Sequence, residues 1–200
     1  MTWPFGDLVA GAYRVVLADP PWSFTTYSVA GHAKTPHAHY GCMTLEDIKA
    51  LPVQSLAAPD GCALVLWATA PMLPEALVVM AAWGFTFKTA GAWAKRSKSG
   101  EKWAFGTGYI LRSAAEFWLI GTRGKIARPL ARNVRNLLVD PVREHSRKPD
   151  SIYENVERMW PGPRAELFGR ERRPGWDGFG NQLDKFPERA ALPDCAKECG

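Results

Sequence analysis

Cysteine is scarce in this chain. Cys42, Cys62, Cys195 and Cys199 are scattered over 200 residues with no CxxC pair, which argues against both a disulfide framework and a structural zinc site and fits a reducing cytoplasm. A long unbroken apolar run is also missing. The most apolar stretch, residues 61–85, is interrupted by Pro71, Pro74 and Glu75, so strand, turn and helix are expected there and no membrane contact. Residues 1–10 have neither a basic start nor a sustained apolar segment, so no leader peptide is expected. His32, His37 and His39 cluster without a nearby carboxylate or cysteine to complete a ligand set. Residues 31–40 therefore suggest a mobile loop over a site, with no metal. No internal repeat is visible, and a single domain over 1–183 with a loose tail over 184–200 is expected.

Negative charge is sparse in the middle of the chain. From Lys95 to Arg135 there are ten basic residues (Lys95, Arg96, Lys98, Lys102, Arg112, Arg123, Lys125, Arg128, Arg132 and Arg135) against Glu101 and Glu116. This segment carries +8 of a total of +5, and the remainder is −3. A surplus concentrated in this way suits a polyanion, and Lys95, Arg128, Arg132 and Arg135, with Tyr40, are candidate substrate-binding residues beside the active site.

What is abundant is an alternation of strand and helix signals. Strands are expected over 14–18, 62–68, 85–95, 115–122, 136–139 and 164–168. Helices are expected from Thr44 to Pro52, opened by a capping-box-like Thr44-Leu-Glu-Asp47, from Pro71 to Trp83, closed by Gly84, and from Pro149 to Trp160, with Asp150 or Ser151 near the cap. Residues 96–113 and 123–135 have the polar composition of long functional loops. Repeated βα units favour an α/β fold, a mostly parallel sheet with helices on both faces and ligands at the carboxyl ends of its strands.

Asp19-Pro20-Pro21-Trp22 follows the first apolar strand directly, where such a sheet presents its site. The prolines fix a sharp turn, Asp19 and a proline carbonyl offer acceptors to an amine, and Trp22 offers a face on which a base could stack. Gly106-Thr-Gly108 lacks the third glycine and the strand-to-helix setting of a dinucleotide fingerprint.

With these residues the chain resembles the MT-A70 family of adenine methyltransferases, whose signature is Asp-Pro-Pro-Trp after an apolar strand. The resemblance continues through Tyr40-Gly-Cys-Met-Thr44, Leu64-Val-Leu-Trp67, Trp83-Gly-Phe85, Trp93-Ala-Lys95, Glu116-Phe-Trp-Leu119, Ser146-Arg-Lys-Pro-Asp150, Glu166-Leu-Phe-Gly-Arg170, Trp176 and Gly180-Asn-Gln182. It covers residues 13–183. It implies a Rossmann-like S-adenosylmethionine-dependent methyltransferase fold with a permuted motif order, the strand of the catalytic tetrapeptide preceding that of the cofactor half.

The resemblance further implies that Asp19, Lys148, Phe168, Gly169, Arg170, Asn181 and Gln182 line the cofactor pocket and that Asp19, Pro20, Pro21 and Trp22 are catalytic. Lys148 would meet the donor's carboxylate, and Asn181 and Gln182 the ribose hydroxyls. The reaction implied is methylation of the exocyclic 6-amino nitrogen of adenine. That nitrogen's lone pair is delocalised into the ring, and acceptors for its hydrogens favour the tetrahedral geometry needed for attack. DNA is the favoured substrate on account of the chain's small size, with RNA possible, and a monomer or homodimer is expected. A non-catalytic nucleic-acid scaffold is disfavoured by the intact tetrapeptide, and cytosine as target by Asp19 and Trp22. The stretch Glu171-Arg-Arg-Pro174 is shorter than its counterpart in larger relatives.

Overall fold

The structure, a computed structural model, describes residues 3–22, 43–108, 110–144 and 146–186. The histidine-bearing loop expected at 31–40, Tyr40 and the tail beyond 186 lie outside the described residues. Seven strands form one sheet: β1 (Val15–Ala18), β2 (Gly61–Ala68), β3 (Thr86–Arg96), β4 (Ala115–Gly124), β5 (Leu137–Pro141), β6 (Arg164–Leu167) and β7 (Asp177–Phe179). Their order is β5-β3-β4-β2-β1-β6-β7. β1 and β2 are buried at every position, as apolar strands in the middle of a parallel sheet should be. Every neighbouring pair is parallel except those of β4, which runs antiparallel to β2 and β3. The mostly parallel sheet is therefore present, with one reversed strand. Apolar periodicity carries no information about direction, so the reversal was invisible in the sequence.

Among the described residues three α-helices accompany the sheet: α1 (Leu45–Ala50), α2 (Leu73–Ala82) and α3 (Asp150–Met159). Thr44 caps α1 as expected, its hydroxyl accepting the Asp47 N–H at 3.1 Å and donating to the Asp47 carboxylate at 2.6 Å. α2 carries Pro74 in its first turn and is followed by Gly84 at φ +75°, a left-handed position that glycine takes at little cost. Asp150 and Ser151 lie next to the cap of α3, as expected. Pro149 occupies the cap position itself, while the Asp150 carboxylate is engaged by Arg143 and Arg173 and the Ser151 hydroxyl donates to Asp140 at 2.6 Å.

Successive residues of β1 and β2 divide between two hydrophobic clusters. Val16, Ala18, Leu64 and Leu66 pack with Ile48 of α1 and Ala76, Val79 and Met80 of α2. Val15, Leu17, Val65 and Trp67 pack with Ile152, Tyr153, Val156 and Met159 of α3. This is the period-two alternation of a pleated strand.

Strand direction decides where the site can be. The carboxyl ends of the six co-directional strands, and the amino end of β4, share one edge of the sheet. There Asp19 follows β1, Phe168 follows β6, Gly180 follows β7, and Glu116 begins the return along β4. β1 has β2 on one side and β6 on the other, so the crevice between β1 and β6 is the point at which the winding of the sheet reverses.

Candidate active site

Four alternating charges line the edge beside this crevice. The Asp19 carboxylate accepts from Lys148 Nζ at 2.7 Å, and Lys148 Nζ also lies 2.8 Å from Glu116 Oε1. Glu116 Oε2 in turn lies 2.7 Å from Lys95 Nζ. The hairpin pairing of β3 with β4 sets Glu116 opposite Trp93 and so brings it within reach of Lys95. Tryptophan faces support both cations: Lys148 Nζ is 5.3 Å from the Trp67 ring centroid and Lys95 Nζ 4.8 Å from that of Trp93. Burial alone would push the Glu116 carboxyl up, but Lys148 and Lys95 more than offset it and hold it at about 2. Burial likewise opposes the charge on Lys148, yet Asp19 and Glu116 raise its amine above the ordinary lysine range. Glu116 and Lys148 are thus both charged at neutral pH. The row pins Asp19 through one carboxylate oxygen.

Trp22 anchors the tetrapeptide from below. Its side chain is 4% exposed and its indole N–H donates to the Trp67 carbonyl at 2.9 Å, while its backbone N–H closes a tight turn on the Pro20 carbonyl at 2.8 Å. The ring is core here, which corrects the expectation of an open stacking face.

Across the crevice, the loop after β6 meets the loop after β7. Phe168 adopts φ +65° and Ser146, on a neighbouring loop, φ +60°, conformations that non-glycine residues tolerate only where the surroundings enforce them. A Cβ on Gly180 would lie 2.6 Å from Gly169 O and 2.9 Å from Gly169 N, so the two backbones touch only because residue 180 has no side chain. Asp19, Lys148, Phe168 and Arg170 line one narrow depression together with Ser146, Glu166 and Phe186. Asn181 and Gln182 line a cleft of about 540 Å³ next to it, with Arg172 and Lys185. Residues 184–186, expected to be loose, belong to this wall: the Phe186 N–H donates to Arg170 O at 3.3 Å, and Arg172 Nε lies 2.8 Å from Asp184.

Behind the depression is a buried polar network. The Tyr153 hydroxyl donates to Glu166 at 2.6 Å, the Arg173 guanidinium stacks 3.8 Å from the Tyr153 ring centroid, and Arg173 bridges Glu171 at 2.5 Å and Asp150 at 2.9 Å. Arg147 pairs with Glu171 as well. Burial pushes the Glu166 carboxyl up to about 7, against the Tyr153 hydrogen bond and Arg173 and assisted by Glu171 and Asp19.

Residues 13–182 match the sequence profile of the MT-A70 family. The chain belongs to that family of adenine methyltransferases. It is similar to the Type II methyltransferase M.MunI of Mycoplasma sp, 30% identical over 90% of this chain and 81% of that protein. It is also 34% identical to the N(6)-adenosine-methyltransferase MT-A70-like protein of Drosophila melanogaster and 33% identical to the human N(6)-adenosine-methyltransferase catalytic subunit METTL3, each over 88% of this chain. It spans only 28% and 29% of those two proteins.

In this MT-A70 chain the residues named from the sequence are distributed unevenly. Asp19, Lys148, Phe168, Gly169, Arg170, Asn181 and Gln182 all stand at the crevice edge, and so does Lys95. Arg128 and Arg132 do not. Gly124, the last residue of β4, pairs with Gly61 at the opposite edge, and the chain beyond it docks on the far end of α3, Leu130 N–H donating to Met159 O at 2.9 Å and Ala131 N–H to Arg158 O at 3.2 Å. The placement of that basic stretch beside the site is therefore corrected, since β4 runs the other way. Arg135 lies part-way back, next to Asn136, whose carbonyl accepts the Ala92 N–H at 2.9 Å. Glu116, Glu166 and Glu171 carry no role that the sequence alone assigned. The first two stand in family motifs and are single carboxylates inside apolar strands. Among the described residues no group of three or more His, Cys, Asp or Glu could hold a metal ion, and no helix is long and apolar enough to cross a membrane.

Proposed function

We propose that the chain transfers a methyl group from S-adenosylmethionine to the exocyclic 6-amino nitrogen of adenine in DNA. The carrying observation is Asp19, the first residue after β1 at the winding reversal, ion-paired through one oxygen to the buried Lys148. The proposed fold is the permuted Rossmann-like one with helices on both faces. β1 and β6 are adjacent and parallel although the catalytic strand comes first in the chain, and the division of the core between α1 with α2 and α3 supports the two helical layers.

The residues present fit the methyl donor. The contact that Gly180 permits between the two loops sets the Asp19, Phe168 and Arg170 depression next to the Asn181 and Gln182 cleft, so acidic, basic and amide groups face an elongated zwitterion with ribose hydroxyls. When bound, S-adenosylmethionine supplies an electrophilic methyl group on a sulfonium. Asp19 accepts a hydrogen of the target amine and stabilises the positive charge that grows on it. Lys148 and Glu116 hold that carboxylate in place, which makes them positioning residues. Lys148 is thus given a protein partner instead of the donor's carboxylate, and Arg170 becomes the cation for that group. Trp22 fixes the turn.

DNA is favoured because the Type II methyltransferase is matched over most of its own length, whereas the N(6)-adenosine-methyltransferases are matched over less than a third. Their names and 33–34% identity give RNA as the second reading. The protein is to be incubated with labelled S-adenosylmethionine and separate DNA and RNA pools, which are then digested to nucleosides. Label in deoxyadenosine methylated at N6 is expected. Label confined to RNA would select the second reading, label in cytosine would overturn both, and no transfer would leave a binding scaffold.

A further inference from the structure

The described residues of the loop 97–114, between β3 and β4, make backbone hydrogen bonds yet turn large apolar side chains outward. Ser97 N–H donates to Lys102 O, Ala104 N–H to Lys95 O and Gly106 N–H to Ser113 O, all at 2.8–2.9 Å, so its backbone is held in two short ladders. Nevertheless Trp103 is 56% exposed, Phe105 79%, Ile110 86% and Leu111 81%. Such a group on a backbone-bonded hairpin marks a binding surface. Cations sit against its rings: the Arg96 guanidinium is 3.8 Å from the Trp103 ring centroid and that of Arg112 is 5.2 Å from Phe105. Lys98 and Lys102 add two more positive charges, against Glu101 alone.

The loop is rooted at the active site. It leaves from Arg96 and returns at Ala115, and the residues at its base, Lys95 and Glu116, are the ion pair that continues through Lys148 to Asp19. The basic stretch 123–135, by contrast, starts at the other edge of the sheet. A second copy of this chain, docked by the same loop, would set like charges against one another. A nucleic-acid strand complements both features, because phosphates are drawn to the cations while every base offers a face to an aromatic ring.

We propose that loop 97–114 is the surface on which the strand flanking the target adenine lies, Trp103 and Phe105 stacking on its bases and Arg96, Lys98, Lys102 and Arg112 facing its phosphates. This rests on the methyltransferase reading above and adds the side from which the substrate approaches.

The test uses the full chain, a fluorescein-labelled single-stranded DNA oligonucleotide containing adenine, and fluorescence anisotropy over a range of salt. The double variant Trp103→Ala/Phe105→Ala should bind about tenfold or more weaker with an unchanged salt slope. Lys98→Ala/Lys102→Ala should lower that slope by up to about 1.4. S-adenosylmethionine affinity by calorimetry and kcat at saturating oligonucleotide should hold in both, with KM for the oligonucleotide raised. Wild-type oligonucleotide affinity and KM in the aromatic variant would overturn the proposal while leaving the methyltransferase reading intact. So would loss of a dimer in sedimentation with DNA affinity retained, which would assign the loop to a second copy. A wild-type protein that binds donor but no oligonucleotide would overturn it along with the proposed function.

Discussion

Replacing Asp19 by Ala removes the acceptor but leaves Lys148 paired with Glu116 at 2.8 Å, so the fold should survive. Transfer should fall by about 10²-fold to 10³-fold or more, the usual cost of losing a preorganised group at a developing charge. Steady-state transfer measured beside circular dichroism checks this, and wild-type turnover would refute the assignment. Asp19→Asn keeps the shape and an acceptor oxygen but not the charge, and it should be severely impaired. Trp22 leads to a different expectation from one based on stacking. A ring 4% exposed with its N–H on Trp67 O belongs to the core, so Trp22→Ala should cost about 3–5 kcal/mol of stability, read as a lowered urea midpoint. Should the variant melt like the wild type but bind oligonucleotide more weakly, the stacking role would be restored.

At the scale of elements, loops after strands make the site and strand direction decides which loops these are. The turn after β6 and the turn after β7 close on each other at Gly180, where a Cβ would come 2.6 Å from Gly169 O. Gly180→Ala must separate the two backbones. Overpacking of this kind costs about 1–3 kcal/mol, and if the strain falls on the bound state, S-adenosylmethionine affinity should drop roughly 5-fold to 150-fold. Titration calorimetry measures it; an unchanged affinity would remove this contact from the donor site. Elements also differ in how far their local chemistry reveals them. Thr44 announced α1 because a cap acts within four residues, whereas the pairing of Asp150, beside the cap of α3, with Arg173 joins residues distant in sequence and had no local signal. β7 gave no signal at all, since a three-residue strand with one apolar residue has no period.

For the whole molecule, two buried carboxyls pull stability in opposite directions with pH. Glu116 is held at about 2, below its ordinary 4.5, so its contribution is present above that ordinary value and is lost as pH falls from 4.5 toward 2. Glu166 is raised to about 7, so the folded protein keeps a proton that the unfolded chain gives up near 4.5. Its contribution is full below 4.5 and declines as pH rises to about 7. The groups facing it, Tyr153, Arg173, Glu171 and Asp19, set the size of that decline, which should be on the order of a few kcal/mol. Urea denaturation across this range should show the fall, and Glu166→Gln should flatten it. A curve with the same slope in the variant would assign the decline to other groups.

The sequence by itself determined the two buried central strands, the crossover helices and the tetrapeptide after β1, because apolar runs, caps and prolines act through neighbours in the chain. Through the family resemblance it also named Asp19, Lys148, Phe168, Arg170, Asn181 and Gln182 as candidates, and these stand together at the crevice edge. Only the tertiary structure decided that β4 runs backwards. That single reversal carries Glu116 to Lys148, sends Arg128 and Arg132 to the far edge and hangs the loop 97–114 at the mouth of the site. Such effects depend on which strand ends share an edge, a relation between segments up to 150 residues apart that no local pattern encodes.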